Sequence, residues 1–293
     1  MTVGVLLMAY GSPEREDELE AYYTDIRRGR PPTREQLDDL RRRYDAIGGL
    51  SPLAERTRAQ QDALASRLGD GYTVELGLKH AAPSIEAGAQ ALVDGGVERV
   101  AGVVLAPHYS ALSVGQYHER ARAVVGADAY AGIDGYGDAP LLVHLLADRV
   151  IDTMATIPEP ARVEVVFTAH SLPERALKID YPTYPDQLEE TAARVAQRAK
   201  LASYRVAFQS AGRTPEPWLG PDLRAVIEEL PAAGFDAVVV CPAGFTSDHL
   251  EVLYDVDIEA RLVAESVGLR LERTPSLNDD SGFVSLLASL VRA

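Results

Sequence analysis

The sequence has only one cysteine, Cys241, among its 293 residues. A single thiol excludes a disulfide within the chain, and it excludes an iron–sulfur cluster held by four thiolates. We therefore expect no iron–sulfur cluster. Cys241 itself is interpreted as a small buried residue near the end of a strand.

Long apolar runs are also missing from the sequence. No stretch of 18 apolar residues occurs that could span a bilayer, and the amino terminus lacks the basic and apolar pattern of a signal peptide. These features predict a soluble, cytoplasmic protein without stable membrane insertion.

Basic residues are outnumbered, with 29 Lys and Arg against 44 Asp and Glu and a formal net charge of −15. Affinity for nucleic acid rests on clustered basic side chains, so this charge argues against a general nucleic-acid binder. An anionic substrate must instead be met by a local positive patch.

Two arginine-rich segments, IRRGRPP and DDLRRRYDAIGGLSPL, are candidates for such a patch. Their arginines are Arg27, Arg28, Arg30, Arg41, Arg42 and Arg43. Arginine binds carboxylates through a bidentate fork, so these segments suit a substrate with several carboxylate groups. Ordinary surface charge is the alternative for most of the six.

Hydrophobic runs that predict strands alternate with amphipathic runs that predict helices. This order predicts an α/β fold with mainly parallel sheets covered by helices. Strands are predicted over Val3–Ala9, Tyr72–Leu78, Val100–Ala106, Val163–Thr168, Tyr204–Gln209, Ala237–Cys241 and Arg270–Arg273. Helices are predicted over Leu53–Leu68, Ser84–Asp94, Gln187–Ala199 and Pro221–Leu230. No GxGxxG or P-loop motif follows a strand, which argues against a nucleotide cofactor.

Four of the predicted strands end in a similar way, in LLMAYGSP, VVLAPHYS, VVFTAHSLP and VVVCPAGF. The repetition indicates two similar α/β halves whose functional ends face a shared cleft. We place the halves at residues 1–135 and 136–293. The last helix, within 282–293, is a candidate to fold back onto the first half.

Two of these strand ends carry residues that can bind a metal. His170 follows VEVVFTA, and Glu251 lies in VVVCPAGFTSDHLEVLYDVDIE. Ligands of open α/β sheets collect beyond the carboxyl ends of strands, so both side chains can point at one site. Imidazole with carboxylate suits Fe(II), Zn(II), Co(II) or Ni(II), and a neutral imidazole also suits a general base. A purely structural histidine is the alternative.

Glu251, Asp255 and Glu259 recur every fourth residue on a helix predicted to open after Gly244. In an α-helix this line would drift by about 40° per step, and a local π-turn would straighten it. Three carboxylates in a row suit the passage of a hydrated cation. A solvated acidic helix face is the alternative, although the apolar neighbours of Glu251 indicate a face turned inward.

Aromatic residues follow the two other strand ends. Tyr10, in MAYGSP, suits stacking on a flat ligand or ligation of ferric iron, with a structural cap on the core as the alternative. The helix predicted over Ala111–Ala123 presents Tyr117 and His118, of which at least one is interpreted as a surface residue.

Taken together, nine segments resemble the ferrochelatases, most closely those of the coproporphyrin type, over nearly the whole chain. They are MAYGSP, YYTDIRRGRPP, RYDAIGGLSPL, GLKHAAPSI, VLAPHYSALSVGQY, FTAHSLPE, YPDQLEETA, FQSAGRTPEPWLGPD and PAGFTSDHLEVLYDVDIE. The resemblance implies two Rossmann-like halves with a porphyrin cleft between them, and insertion of Fe(II) into a porphyrin.

The resemblance also implies roles for individual residues. His170 and Glu251 match the metal-site pair of the family, with His170 as the usual acceptor of pyrrole protons. Asp255 and Glu259 match the outer acidic line, and Tyr10 matches the residue that faces the metal from the opposite side. The positions that hold the porphyrin edge and its propionates are matched by Arg27, Arg43, Tyr44, Ser51 and Tyr117.

The expected reaction is the insertion of Fe(II) into coproporphyrin III to give coproheme in haem biosynthesis. Fe(II) is then a substrate, no cofactor is permanently bound, and the resemblance further implies a monomer. No hydrophobic membrane-binding lip is visible, which favours this polar substrate over protoporphyrin IX, the alternative. A cobalt or nickel chelatase of the same fold stays open. A noncatalytic tetrapyrrole carrier also stays open, although it would not need the acidic line.

Overall fold

Two four-stranded parallel sheets, each flanked by helices, form the computed structural model, which describes residues 2–159, 161–212 and 214–293. The first sheet has the order β2-β1-β3-β4 and contains β1 (Val3–Ala9), β2 (Tyr72–Leu78), β3 (Arg99–Val104) and β4 (Tyr130–Ile133). The second has the order β6-β5-β7-β8 and contains β5 (Val163–His170), β6 (Tyr204–Gln209), β7 (Ala237–Cys241) and β8 (Arg270–Arg273). The predicted α/β class with two similar halves is confirmed.

Helices connect the strands and cover both sheets. The α-helices of the first sheet's half are α1 (Leu19–Ile26), α2 (Arg34–Ala46), α3 (Leu53–Leu68), α4 (Ile85–Asp94) and α5 (Val114–Val125). Those that follow are α6 (Pro140–Met154), α7 (Tyr184–Ala199), α8 (Leu223–Glu229), α9 (Arg261–Ser266) and α10 (Ser281–Arg292). Short 3₁₀ helices span Glu16–Glu18 and Glu174–Lys178, and a π-helix spans Glu251–Ala260. Within the described residues, no helix is long and apolar enough to cross a bilayer.

The central strands are apolar along their whole length because helices cover both faces of each sheet. Residues 4–9 of β1 and all of β7 are buried. The largest cluster of buried hydrophobic side chains includes Val5 and Leu7 of the first sheet together with Phe167 and Val239 of the second. The two sheets therefore share packed side chains.

Helices at the junction join the two halves. β4 ends at Ile133, and α6, which begins at Pro140, packs against α7 and β7. α10 packs against α6 and also returns to α3 of the first half. There the Arg292 guanidinium donates to the carbonyl oxygen of Arg67 at 2.9 Å.

Most predicted boundaries agree with the observed ones within two residues, and five strands agree at both ends. The strand that carries His170 is longer than predicted, because it continues past Thr168 and ends at His170 itself. The short edge strand β4 and the helices α1, α2 and α6 were not predicted.

Candidate functional site

His170 and Glu251 face each other at the carboxyl end of the second sheet. His170 ends β5, and Glu251 begins the π-helix. The His170 Nε2 atom lies 3.6 Å from one Glu251 carboxylate oxygen, and His249 Nε2 lies 3.6 Å from the other. About a third of each side chain of the first pair is exposed, 35% for His170 and 34% for Glu251. The site is therefore open on one side.

Backbone carbonyl groups orient both imidazole rings. Nδ1 of His170 donates to the carbonyl oxygen of Ser171, and Nδ1 of His249 donates to that of Ser247. A carbonyl oxygen only accepts, so the proton of each neutral ring lies on Nδ1. The Nε2 lone pair of each neutral ring then points toward Glu251, where it can bind a proton or a metal ion.

The charges of His170 and Glu251 stabilise each other. Burial alone would lower the pKa of His170, but the Glu251 carboxylate outweighs it and raises that pKa to about 9. Burial likewise acts to raise the pKa of Glu251, yet the two imidazoles hold that pKa well below its usual range. These shifts favour imidazolium with carboxylate at neutral pH, so His170 has to release a proton before its Nε2 can bind a metal.

The acidic line lies on the π-helix, so the local π-turn considered from the sequence extends here over ten residues. Ser210 donates to Asp255 Oδ2, and Arg43 Nη1 lies 3.7 Å from Asp255 Oδ1. Arg224 Nη1 lies 3.7 Å from Glu259 Oε2. Burial, followed by the charge of Glu251, raises the pKa of Asp255 to about 6.

The sheet fixes the first turn of this helix. The Thr168 hydroxyl donates to Gln209 Oε1 at 2.8 Å, and the Gln209 amide donates to the backbone carbonyl oxygen of Glu251 at 3.0 Å. Gly244 lets the preceding loop cross β5 closely, since a Cβ there would lie 2.4 Å from Ala169 Cβ. These contacts place Glu251 beside His170.

The charge of Glu251 acts on three tyrosine side chains of the first half. Tyr10 is 40% exposed, although many protein atoms surround it. Burial first, and then the charge of Glu251, raise the pKa of Tyr10. Burial and the charge of Glu251 also raise the pKa values of the buried Tyr44 and Tyr117. The electrostatic coupling indicates that these phenols and the carboxylate border one region.

A histidine that the sequence reasoning did not single out lies beside Tyr10. The rings of Tyr10 and His80 meet edge to face at 4.6 Å, and His80 Nδ1 lies 2.6 Å from Asp25 Oδ2. His80 follows the end of β2, in the GLKHAAPSI segment. Its position directly after a strand is the sequence signal that could have identified His80 as a site residue.

The remaining candidates differ in how closely they approach the pair. Arg43 reaches Asp255 and lies 5.0 Å from the Tyr254 ring centre. Arg27 donates to the carbonyl oxygen of Arg30 at 3.2 Å, and the buried Ser51 hydroxyl accepts from the backbone of Leu53. Among the described residues, no hydrogen bond or ion pair joins Arg27 or Ser51 to His170 or Glu251.

Two arginines of the candidate patches fit the surface alternative. Arg41 and Arg42 are 50% and 75% exposed and pair with Asp38 and Asp39 on their own helix.

No group of three or more His, Cys, Asp or Glu side chains is arranged to hold a metal ion in the part of the chain that the structure describes. His170 and Glu251 offer one nitrogen and two oxygens on an open face. This donor set suits borderline divalent metals such as Fe(II).

The fold is similar to that of solved tetrapyrrole chelatases. SirB from Bacillus subtilis, solved with Fe³⁺, aligns with a TM-score of 0.64 at 15% identity, covering 100% of this chain and 95% of that one. CbiX, described as the terminal enzyme of sirohaem biosynthesis in denitrifying bacteria, aligns with a TM-score of 0.57 at 13% identity, covering 99% and 98%. At these identities the likeness concerns the fold.

The sequence comparisons are more specific. The coproporphyrin III ferrochelatase of Geobacillus kaustophilus is 46% identical over 301 residues, covering 99% of this chain and 95% of that protein. Coproporphyrin III ferrochelatase 2 of Bacillus cereus is 40% identical over 298 residues, covering 99% and 93%. The model of the family described as Ferrochelatase matches residues 2–293. The resemblance found in the sequence is thus confirmed, and the chain belongs to the ferrochelatase family.

Proposed function

We propose that this protein inserts Fe(II) into coproporphyrin III to give coproheme. The observation that carries the proposal is the partly exposed His170–Glu251 pair, in a chain 46% identical to a coproporphyrin III ferrochelatase. Fe(II) is a substrate in this proposal, and no resident cofactor is needed. We propose that the protein acts as a cytoplasmic monomer.

The reaction replaces two pyrrole protons by one divalent ion, so the protein has to accept two protons. The acceptors proposed here are the Glu251 carboxylate and His170 Nε2, the latter after the ring has released its own proton to solvent. A metal ion near the pair favours deprotonated His170 through its charge, which opposes the effect of Glu251 on the pKa. Metal arrival and proton release are therefore coupled.

A planar porphyrin hides its nitrogen lone pairs, so the ring has to bend before iron can enter. We propose that contacts at the ring edge supply the binding energy for this distortion. The residues proposed for these contacts are Arg27, Arg43, Tyr44, Ser51 and Tyr117. Tyr10 faces the metal from the side opposite to His170. The line through Asp255 and Glu259 delivers iron and carries protons outward.

Coproporphyrin III carries four propionates and protoporphyrin IX carries two. Each additional carboxylate can form a charge-assisted hydrogen bond with an arginine fork, which favours coproporphyrin if the arginines reach the ring edge. The arginine-rich α1–α2 region supports this choice of substrate, and protoporphyrin IX is the runner-up.

The test is an anaerobic assay with Fe(II) and either porphyrin, followed by the Soret and Q bands. We expect rapid metallation of coproporphyrin III, and a loss of at least about 100-fold in His170→Asn and Glu251→Gln, because each removes a proton acceptor. The matched control is Glu190→Gln, an exposed acid on α7 paired with Arg194. Tight porphyrin binding without metallation above the protein-free rate would instead identify a carrier.

A further inference from the structure

The π-helix is held by an arginine that takes no part in the site described above. Arg273, the last residue of β8, donates twice to Asp257, from Nε to Oδ1 at 2.7 Å and from Nη2 to Oδ2 at 2.9 Å. Two parallel hydrogen bonds fix the orientation of a carboxylate as well as its distance. The pair is partly shielded from water, with 14% of the Arg273 side chain and 28% of the Asp257 side chain exposed.

The same guanidinium also holds the loop that leads into the helix. Arg273 Nη1 lies 3.3 Å from Asp248 Oδ1, three residues before Glu251. Asp248 in turn accepts from the Ser276 hydroxyl at 2.7 Å and from the Asn278 amide at 2.9 Å. One side chain of the sheet therefore anchors the helix both before its start and in its interior.

The acidic line lies around these two anchors. Glu251 and Asp255 fall between positions 248 and 257, and Glu259 follows two residues later. Asp257 belongs to the same ten-residue helix, so a shift of Asp257 relative to β8 also shifts its acidic neighbours.

A π-helix needs such anchors because it is rare and most examples last a single turn. The ordinary alternative is an α-helix with 3.6 residues per turn. If residues 251–260 relaxed to that geometry, each four-residue step would rotate by about 40°, so Glu259 would point about 80° away from Glu251. The directions of the three carboxylates relative to one another would then change.

We propose that Arg273 is a positioning residue for metal insertion. By clamping Asp257 and Asp248 to β8, it keeps the helix Glu251–Ala260 in the π register that aligns the acidic line. This inference rests on the proposed role of that line in delivering iron. Arg273 acts through the helix, so it affects use of the metal ion far more than binding of the porphyrin.

The test compares Arg273→Lys and Asp257→Asn with wild type in the anaerobic assay. Lysine keeps the charge but lacks the fork, and asparagine keeps the size but lacks the charge. We expect the KM for Fe(II) to rise about tenfold or more, as for other residues that orient a metal-binding group, with porphyrin affinity within about twofold of wild type. The KM for Fe(II) of the double variant should not exceed that of the more impaired single variant, because both substitutions break the same Arg273–Asp257 contact.

The matched control is Arg270→Lys on the same strand. Arg270 is 43% exposed and pairs with Glu272 at 2.8 Å. We expect it to leave the KM for Fe(II) unchanged. Hydrogen exchange of residues 248–262, measured by mass spectrometry, should be faster in Arg273→Lys and Asp257→Asn than in Arg270→Lys.

A lower Tm with an unchanged KM for Fe(II) and unchanged exchange in 248–262 would show that Arg273 only stabilises the fold, and would overturn the inference. If Arg273→Lys fails to fold, the isosteric Asp257→Asn decides by the same readouts. If wild type metallates no porphyrin, the proposed function fails. Hydrogen exchange, which needs no activity, still tests whether Arg273 holds residues 248–262 in place.

Discussion

His108 of the first half donates from Nε2 to the hydroxyl of Thr191 on α7, at 2.9 Å, across the junction between the halves. The Thr191 hydroxyl uses its own proton toward the carbonyl oxygen of Gly137, so it accepts from His108. His108 Nδ1 is buried and has no hydrogen-bond partner among the described residues. A second proton on this ring would therefore create a buried charge without a compensating partner in the described part of the chain.

This contact makes the stability of the protein depend on pH. Burial lowers the pKa of His108 from 6.5 to about 4, so the unfolded state binds the proton more tightly. The stabilisation is complete above about pH 6.5 and is lost as the pH falls toward 4, a difference of up to about 3 kcal/mol. In His108→Gln, the free energy of unfolding in urea, measured from pH 7 to pH 4, should no longer show this loss. His144 is exposed, so His144→Gln should keep the wild-type dependence of the free energy of unfolding on pH. An identical pH dependence in the two variants would contradict the role given to His108.

Asp255 should have the opposite effect on stability. Its pKa is raised from 3.8 to about 6, first by burial and then by Glu251, so the folded state binds the proton more tightly. The cost to folding is absent below about pH 3.8 and complete above 6. Asp255→Asn should thus stabilise the protein at pH 7.5 by up to about 3 kcal/mol, while it lowers activity. Denaturant titrations at pH 7.5 and pH 4 test this, with the exposed Asp45→Asn as control. An equal effect at both pH values would refute it.

Removing the carboxylate of Glu251 should lower the pKa of His170, which is about 9 when the carboxylate is present. Burial, which disfavours the imidazolium, remains in Glu251→Gln, while the largest opposing charge is gone. NMR titration of the His170 ring in the metal-free protein measures this pKa, and Glu259→Gln serves as the control. A His170 pKa that stays near 9 would mean that a carboxylate other than Glu251 stabilises the imidazolium.

The choice between porphyrins should depend on Arg27. If its guanidinium binds a propionate, Arg27→Gln should raise the KM for coproporphyrin III about tenfold, with a smaller effect on protoporphyrin IX. Arg34→Gln is the matched control, because Arg34 is 96% exposed. Equal effects on both porphyrins would assign Arg27 to general binding and not to selection.

Cys241 should resist alkylation in the native protein. It is fully buried, and burial raises the pKa of its thiol to about 12, so almost no thiolate forms at pH 8. Iodoacetamide should label Cys241 only after unfolding, which mass spectrometry detects. Labelling of the native protein would contradict the burial.

The strands were predictable because buried parallel strands are continuous apolar runs, as in VGVLLMA and AVVVC. The edge strand β4, with the sequence YAGI, was not predicted, although the equally short edge strand β8 was. α6 was missed although Pro140 occupies its first turn, a usual start signal. Its polar residues His144, Asp148 and Asp152 recur every fourth residue, so the helical pattern was present in the sequence and was overlooked.

The position of His170 and Glu251 at strand ends was predictable, because topology brings those ends together. The partners that shape the site were not, since they are distant in the sequence. Asp25 lies 55 residues from His80, and Arg273 lies 16 residues from Asp257 on another element. Such pairs depend on how the elements pack, which no local pattern specifies.

The return of α10 to α3 also affects how the protein is made. A chain synthesised from its amino terminus can complete the first sheet early, since the four strands of that sheet lie within residues 3–133. The face of α3 that α10 covers stays exposed until residues 281–292 have been made. The nascent first half therefore carries an uncovered apolar surface through the synthesis of the second half, and it reaches its full stability only when α10 has been made.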